Sequence, residues 1–352
     1  MPSNANRTKV AVIGASGYSG AELLRRLLVH PGAELACLTS RSYAGQTCAE
    51  VFPRFARIGA ADTIQFVEPQ ISVITGSGAE IAFLALPHGV ASEFAVPLLE
   101  AGLKVIDLSA DYRLNDADVY QEFYDHPHPA PELLGESVYG LPEVHGEGIK
   151  SARLIASPGC YPTSILLPLI PALREKLIDP ATIHVTSMSG ASGAGKNVKA
   201  PFLFAEVNES VRAYSVPKHR HLSEVEQELS IAAGERVLIT FIPHLLPVTA
   251  GIQTTTVATA APGTSAADLT AAFEKTYADA PFVRLLGEGA HPDTKHVTGS
   301  NFIDIAWHLD PRTGRVILLS CEDNLGKGAA SQAIQSFNLV TGQDESTGLA
   351  WV

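Results

Sequence analysis

The strongest constraint on the fold of this chain is a short apolar strand that runs straight into a glycine-spaced turn. Lys9-Val10-Ala11-Val12-Ile13 is apolar on both faces, the pattern of a strand buried inside a parallel sheet. Gly14-Ala15-Ser16-Gly17-Tyr18-Ser19-Gly20 follows at once, and residues 21–30 carry the period of an amphipathic helix that Pro31-Gly32 ends. A second apolar run covers 34–39. Strand, glycine turn, helix, strand is the mononucleotide-binding half of a doubly wound α/β sheet. Its glycines let the backbone approach a pyrophosphate, whose charge the helix N-terminus holds. The spacing is G-x-x-G-x-x-G rather than G-x-G-x-x-G, and a turn that only packs helix on strand is the alternative. Placement between strand and helix favours the dinucleotide, so Gly14, Ser16, Gly17, Tyr18, Ser19 and Gly20 are candidate cofactor contacts.

The end of the second strand bears on which dinucleotide. An NAD site places Asp or Glu there for the ribose 2′-hydroxyl, whereas this chain has Thr39-Ser40-Arg41-Ser42. A guanidinium suits the 2′-phosphate of NADP, and Ser40 and Arg41 are the expected contacts, against a solvated surface arginine. Residues 80–86 form another strand, ending at Leu86-Pro87-His88-Gly89, and 104–108 a further one, ending in Ser109-Ala110-Asp111-Tyr112-Arg113. Ligands of open α/β sheets gather at such strand ends. Leu86, Pro87, His88 and Ser109 are thus expected beside the cofactor and Arg113 beside the substrate. For His88 and Arg113 a plain turn residue and a surface ion pair stay equally open. Residues 115–147, rich in Pro, Asp, Glu and His, read as a long connection. Their His-Pro-His-Pro run offers no helical face for a metal, and none is expected.

The second half opens on Ser157-Pro158-Gly159-Cys160-Tyr161-Pro162-Thr163, set between the apolar runs 152–156 and 164–173. This reads as strand, tight turn and helix, with Cys160 on the turn and Pro162 in the first helical turn. A thiol there faces unpaired backbone N–H groups and the positive helix end, which favour thiolate. A thiolate is a nucleophile for acyl chemistry; the other reading is a buried structural cysteine.

Residues 182–188 alternate as a strand and lead into Ser189-Gly190-Ala191-Ser192-Gly193-Ala194-Gly195-Lys196, a second glycine-rich loop. Its spacing is not that of a P-loop. An N–H-rich turn with Lys196 still suits a phosphate or a cofactor end, unless it is a glycine linker. Pro217-Lys218-His219-Arg220-His221 gathers cations and imidazoles for proton transfer and anion binding. Ser223 and Glu226 beyond it resemble a capping box. Strands at 237–241, 253–260, 301–309 and 315–321, with a helix at 268–277, make this half α+β. A closing helix at 330–340 is expected to return to the first domain.

The chain has 352 residues and a formal net charge of −12. A surface for nucleic acid needs a basic footprint that is missing here. Four cysteines without a C-x-x-C pair are neither a zinc nor a disulfide pattern. No apolar run approaches the roughly 20 residues of a membrane span and no signal-like core opens the chain, so a cytoplasmic protein is expected.

Six segments carry a resemblance: GASGYSGAEL from Gly14, SPGCYPT from Ser157, SGASGAGK from Ser189, PKHRH from Pro217, FIPHLLP from Phe241 and EDNLGKGAA from Glu322. Together they resemble the N-acetyl-gamma-glutamyl-phosphate reductase family over nearly the whole chain. The resemblance implies a Rossmann-type doubly wound NAD(P)-binding domain over 1–155. It implies a semialdehyde-dehydrogenase-like α+β domain for catalysis and dimerisation over 156–325, with 326–352 returning to the first. It implies reduction of an acyl phosphate by NADPH in arginine biosynthesis, with Cys160 as nucleophile and His219 as acid/base; on chemical grounds Glu224 is expected to orient His219. The resemblance places Asn324 near the nicotinamide; from the residues themselves, Ser192 and Gly193 of the glycine-rich loop are expected on the cofactor, and Arg113, Ser157 and His221 on the substrate. A homodimer or homotetramer joined through the second domain is implied. An aminoadipyl- or aspartyl-phosphate type reductase and a non-catalytic NADP-binding sensor are the alternatives.

Overall fold

The structure, a computed structural model, describes residues 7–196 and 198–349. Residues 1–6 of the expected first domain and 350–352 of its returning segment lie outside the described residues, as does Asn197. The chain divides into two compact units: Met1–Asp118, Pro127–Pro158 and Ala329–Val352 in the first, Val119–His126 and Gly159–Gly328 in the second. Residues 119–126, expected within the first domain, pack with the second unit.

In the first unit the described residues form a seven-stranded sheet from β1 (Thr8–Ile13), β2 (Ala33–Thr39), β3 (Phe66–Val67), β4 (Ile81–Leu84), β5 (Lys104–Asp107), β6 (Val138–Tyr139) and β7 (Leu154–Ala156). Their order is β3-β2-β1-β4-β5-β7-β6, and every pairing is parallel. Strand β4 and β1 from Val10 onward are buried on both faces, so their side chains serve two cores in alternation. Ala11, Ile13, Ala82 and Leu84 join Phe94 and Leu98 of helix Ser92–Glu100 on one face. Phe83, between them in sequence, meets Phe337 of helix Ser331–Val340 with ring centroids 5.9 Å apart. That helix is buried along its whole length. Burial of Ala333, Ile334, Phe337, Leu339 and Val340 keeps it in the first unit although the second unit separates it in sequence.

Residues 115–147 are a correction to the expected loop. They contain helix Ala117–Tyr124, strand β6 and most of helix Pro142–Ser151. Proline opens the second of these helices, and His145 kinks it with φ −118°, which hides its period in the sequence.

In the second unit the described residues form a seven-stranded mixed sheet from β8 (His184–Gly190), β9 (Arg212–Ala213), β10 (Thr240–Leu246), β11 (Ile252–Thr259), β12 (Val283–Glu288), β13 (Ile303–Asp310) and β14 (Arg315–Glu322), ordered β12-β13-β14-β11-β8-β10-β9. Pairs β8–β10 and β12–β13 are parallel and the others antiparallel. Helix Cys160–Arg174 lies on this sheet, buried from Tyr161 to Leu173. Helices Leu222–Ala233 and Ala266–Tyr277 flank it. Strand β10 runs through Pro243 instead of stopping before it, with the Pro243 carbonyl accepting from Tyr214 N–H.

Candidate active site

At the first glycine turn, Gly14 takes φ +77°, and a Cβ there would lie 2.5 Å from the Ala85 carbonyl oxygen. Helix Tyr18–Leu27 then starts at Gly17 without any side-chain cap. A Cβ on Gly17 would meet nothing nearer than 3.8 Å, so protein packing does not demand a glycine there. Orphan N–H groups with open space before them fit a dinucleotide pyrophosphate. Ser16 hydroxyl is 3.0 Å from Ser40 hydroxyl, and Ser40 also accepts from Ser42 N–H. Tyr18 and Arg41 are exposed, Ser19 is half-buried, and Gly20 packs against the Ala15 backbone.

Beyond β4, Leu86 is half-buried and Pro87 and His88 are exposed. A residue not singled out from sequence fixes this turn: buried Asp111 accepts from Gly89 N–H at 2.7 Å and Ala91 N–H at 3.1 Å. Ser109 hydroxyl donates to Asp107 at 2.6 Å and accepts from Asp111 N–H, so its principal contacts are within the protein. Burial and the Asp111 charge push the Asp107 carboxyl up to about 7. Arg113 is buried and donates to the carbonyls of Ser157 at 2.7 Å and Leu108 at 3.0 Å, where an exposed ion pair was an open alternative. Ser157 is 1% exposed, and its hydroxyl has no partner among the described residues.

In the second unit Cys160 is the first residue of its helix, with Gly159 as the cap and no side-chain cap on the N-terminus. Glu224, 1% exposed, accepts from Gly159 N–H at 3.1 Å. The same residue was expected to orient His219. A Cβ on Gly159 would lie 2.6 Å from His221 Nε2, and one on Gly328 would lie 2.9 Å from the Cys160 Cβ. Imidazole and loop backbone therefore close around the Cys160 turn.

His219 stands edge-on within a ring cage, its centroid 5.4 Å from Tyr161, 5.6 Å from Tyr214, 5.6 Å from Phe241 and 4.9 Å from His221. Burial, aided by the Arg220 charge, pushes it down to about 4. Its Nδ1 accepts from His221 N–H at 3.1 Å, so the neutral ring carries its proton on Nε2. The expected capping box is not formed. The helix begins at Leu222, Ser223 hydroxyl donates to the Arg220 carbonyl, and Glu226 accepts from Ile239 N–H.

The second glycine-rich loop is clamped rather than open. The N–H groups of Gly190, Ala191 and Ser192 donate to the carbonyls of Gly251, Val248 and Thr249. Asn324 donates to Ser192 hydroxyl at 2.9 Å and accepts from Gly251 N–H at 2.8 Å. Gly193 of this loop lines a cavity of about 340 Å³ together with Cys160, His219 and His221. Glycine turn, Leu86, Pro87, His88, Ser109, Arg113 and Ser157 thus belong to the first unit, and Cys160, Ser192, Gly193, His219, His221, Glu224 and Asn324 to the second. Among the described residues no group of three or more His, Cys, Asp or Glu could hold a metal ion, and no helix is long and apolar enough to cross a membrane.

The two units correspond to known domain models. Residues 9–152 match the semialdehyde dehydrogenase NAD-binding domain and 160–324 the semialdehyde dehydrogenase dimerisation domain. Solved structures agree on the fold. Aspartate semialdehyde dehydrogenase II from Vibrio cholerae, complexed with ASA, superposes with a TM-score of 0.72 at 17% identity, over 96% of this chain and 99% of that one. The Candida albicans enzyme with NADP gives 0.70 at 15% identity, over 95% and 99%. The chain is therefore an oxidoreductase of the semialdehyde dehydrogenase class, binding a nicotinamide dinucleotide.

Sequence relatives narrow the class. An N-acetyl-gamma-glutamyl-phosphate reductase of Akkermansia muciniphila is 55% identical over 346 residues, covering 98% of this chain and 99% of the relative. One from Geobacter sp. strain M21 is 50% identical over 343 residues, covering 97% of each. The chain belongs to the N-acetyl-gamma-glutamyl-phosphate reductase family.

Proposed function

We propose that this protein reduces N-acetyl-gamma-glutamyl phosphate to N-acetylglutamate 5-semialdehyde and phosphate, a step of arginine biosynthesis, through a Cys160 thioester. The observation that carries this reading is Cys160 at an uncapped helix start, beside the His219 and His221 imidazoles in one cavity. The helix start favours thiolate at Sγ. Sγ attacks the acyl carbon, a carbon–sulfur bond forms, and the carbon–oxygen bond to phosphate breaks with its electrons leaving on phosphate. The Gly14–Gly20 turn would hold reduced NADP, which would supply the hydride needed to bring the thioester to the aldehyde level. Backbone N–H groups at the start of the Cys160 helix stabilise the oxyanion on that carbonyl oxygen. His219, held neutral with its proton on Nε2, donates a hydrogen bond to the same oxygen. Release of Sγ as thiolate then frees the aldehyde.

NADP is proposed over NAD because Arg41 and Ser40 stand at the end of β2 where an acidic residue would otherwise take the 2′-hydroxyl. Homo-oligomers are proposed to form through the second unit, in keeping with its match to a dimerisation domain. The reaction is tested in reverse, with N-acetylglutamate semialdehyde, NADP and phosphate, by absorbance of the reduced cofactor. Phosphate-dependent reduction is the expected result. Preference for aspartate semialdehyde, or turnover independent of phosphate, overturns the reading.

A further inference from the structure

An acyl phosphate that also bears a carboxylate brings two anionic groups to the site, into a chain whose own net charge is −12. The cations that meet them must come from the walls of the Cys160 cavity. Three line it: Lys199, Lys218 and Arg220. Two of these are engaged. Lys218 Nζ donates to the Glu122 carbonyl at 2.8 Å, pairs with the Glu122 carboxylate at 3.1 Å and stands 4.6 Å from the Phe123 ring centre. The Arg220 guanidinium lies over Tyr124 at 6.0 Å. Both therefore hold the 119–126 segment in place.

Lys199 is different. Its backbone is fixed, since its carbonyl accepts from Phe202 N–H at 2.9 Å in the short turn Ala200–Phe202, and Phe202 lines the same cavity. Its ammonium has no hydrogen bond or ion pair among the described residues. An anchored main chain with an uncommitted charge at its tip is what a mobile anion ligand needs, because the ammonium reorients without disturbing the fold. We infer that Lys199 is an anion ligand of the Cys160 cavity, binding the negatively charged oxygens of the substrate, phosphate or carboxylate. The inference rests on the acyl-phosphate reading above and names the residue that meets the charge.

The reverse reaction presents the two anions as separate substrates, so it distinguishes them. In Lys199→Ala the KM for phosphate or the KM for the semialdehyde is expected to rise about tenfold or more, the size of a lost charged hydrogen bond. The KM for NADP stays unchanged, and Lys199→Arg restores most of the loss. A rise for phosphate assigns the ammonium to the leaving group; a rise for the semialdehyde assigns it to the carboxylate. A second readout does not depend on turnover. Inorganic phosphate or N-acetylglutamate should slow alkylation of Cys160 by iodoacetamide in the wild type, and at least one of them should lose that protection in Lys199→Ala. If both KM values stay within about twofold and protection is unchanged, the assignment is overturned. A wild type with no phosphate-dependent turnover would overturn the reaction instead, while the alkylation assay still decides the role of Lys199.

Discussion

The imidazole of His221 packs so closely on Gly159 that a methyl group there would sit 2.6 Å from Nε2. Glu224 holds the N–H of the same glycine, so the residue ahead of Cys160 is gripped by an imidazole and a carboxylate. Gly159→Ala must displace one of them, and with it Cys160. We expect kcat/KM to fall about a hundredfold, as for misplacement of a reacting group by about 1 Å. Circular dichroism should be unchanged; activity within a few fold of wild type would show that His221 yields freely.

Glu224 accepts from the N–H of the residue before Cys160, and we expect it to act as a positioning residue. Glu224→Gln keeps an acceptor oxygen for that N–H, whereas Glu224→Ala leaves a buried donor unmet at a cost of about 1–3 kcal/mol. Gln should retain most of kcat with an unaltered pH profile, and Ala should lose both kcat and thermal stability. Equal losses in the two variants would point to the carboxylate charge itself.

Burial and Arg220 push His219 down to about 4, so it is neutral from pH 5 to 8. The acid limb of kcat/KM should therefore not fall near 6.5. A base whose folded value is depressed contributes fully to stability above its unfolded 6.5 and loses that contribution as pH falls toward 4. Titration of the His219 ring by NMR measures this directly. A midpoint near 6.5 would restore an imidazolium acid.

Cysteine labelling should be selective. Burial pushes Cys37 and Cys48 up to about 11 and Cys321 up to about 12, and all three are buried, unlike Cys160. Iodoacetamide near pH 7 should add one group per chain, at Cys160, with loss of activity in step. Cys160→Ser should take up none and lose turnover while still binding NADPH.

Asp111 holds the turn after β4 through two backbone N–H groups. Asp111→Ala leaves both unmet at a cost of about 1–3 kcal/mol each. A lower melting temperature and weaker NADP binding are expected, with Asp111→Asn intermediate. Unchanged cofactor affinity would confine Asp111 to stability.

The glycine turn and the Cys160 helix were legible because their chemistry is local: a strand ends, glycines or a cysteine follow, and a helix begins within a few residues. The His219 cage was not, since Tyr161, Tyr214 and Phe241 come from separate elements that only the second sheet brings together. Helix Ala117–Tyr124 was missed because it buries only Tyr120 and Tyr124, a stripe too thin to read. The glycine loop drew attention to Lys196, whereas Lys199, three residues on, lines the cavity. The capping box failed by register, with the helix starting before the serine that resembled its cap.

The chain passes between its two units at 118/119, 126/127, 158/159 and 328/329. During synthesis, which runs from the N-terminus, residues 119–126 emerge before any other part of the unit they join. The first sheet likewise waits for helix Ser331–Val340, whose Phe337 covers Phe83 and whose Asn338 bonds His30 at 3.0 Å. Every residue of the second unit precedes that helix, so the nascent chain must shield the uncovered face of the first sheet while the whole second unit is made.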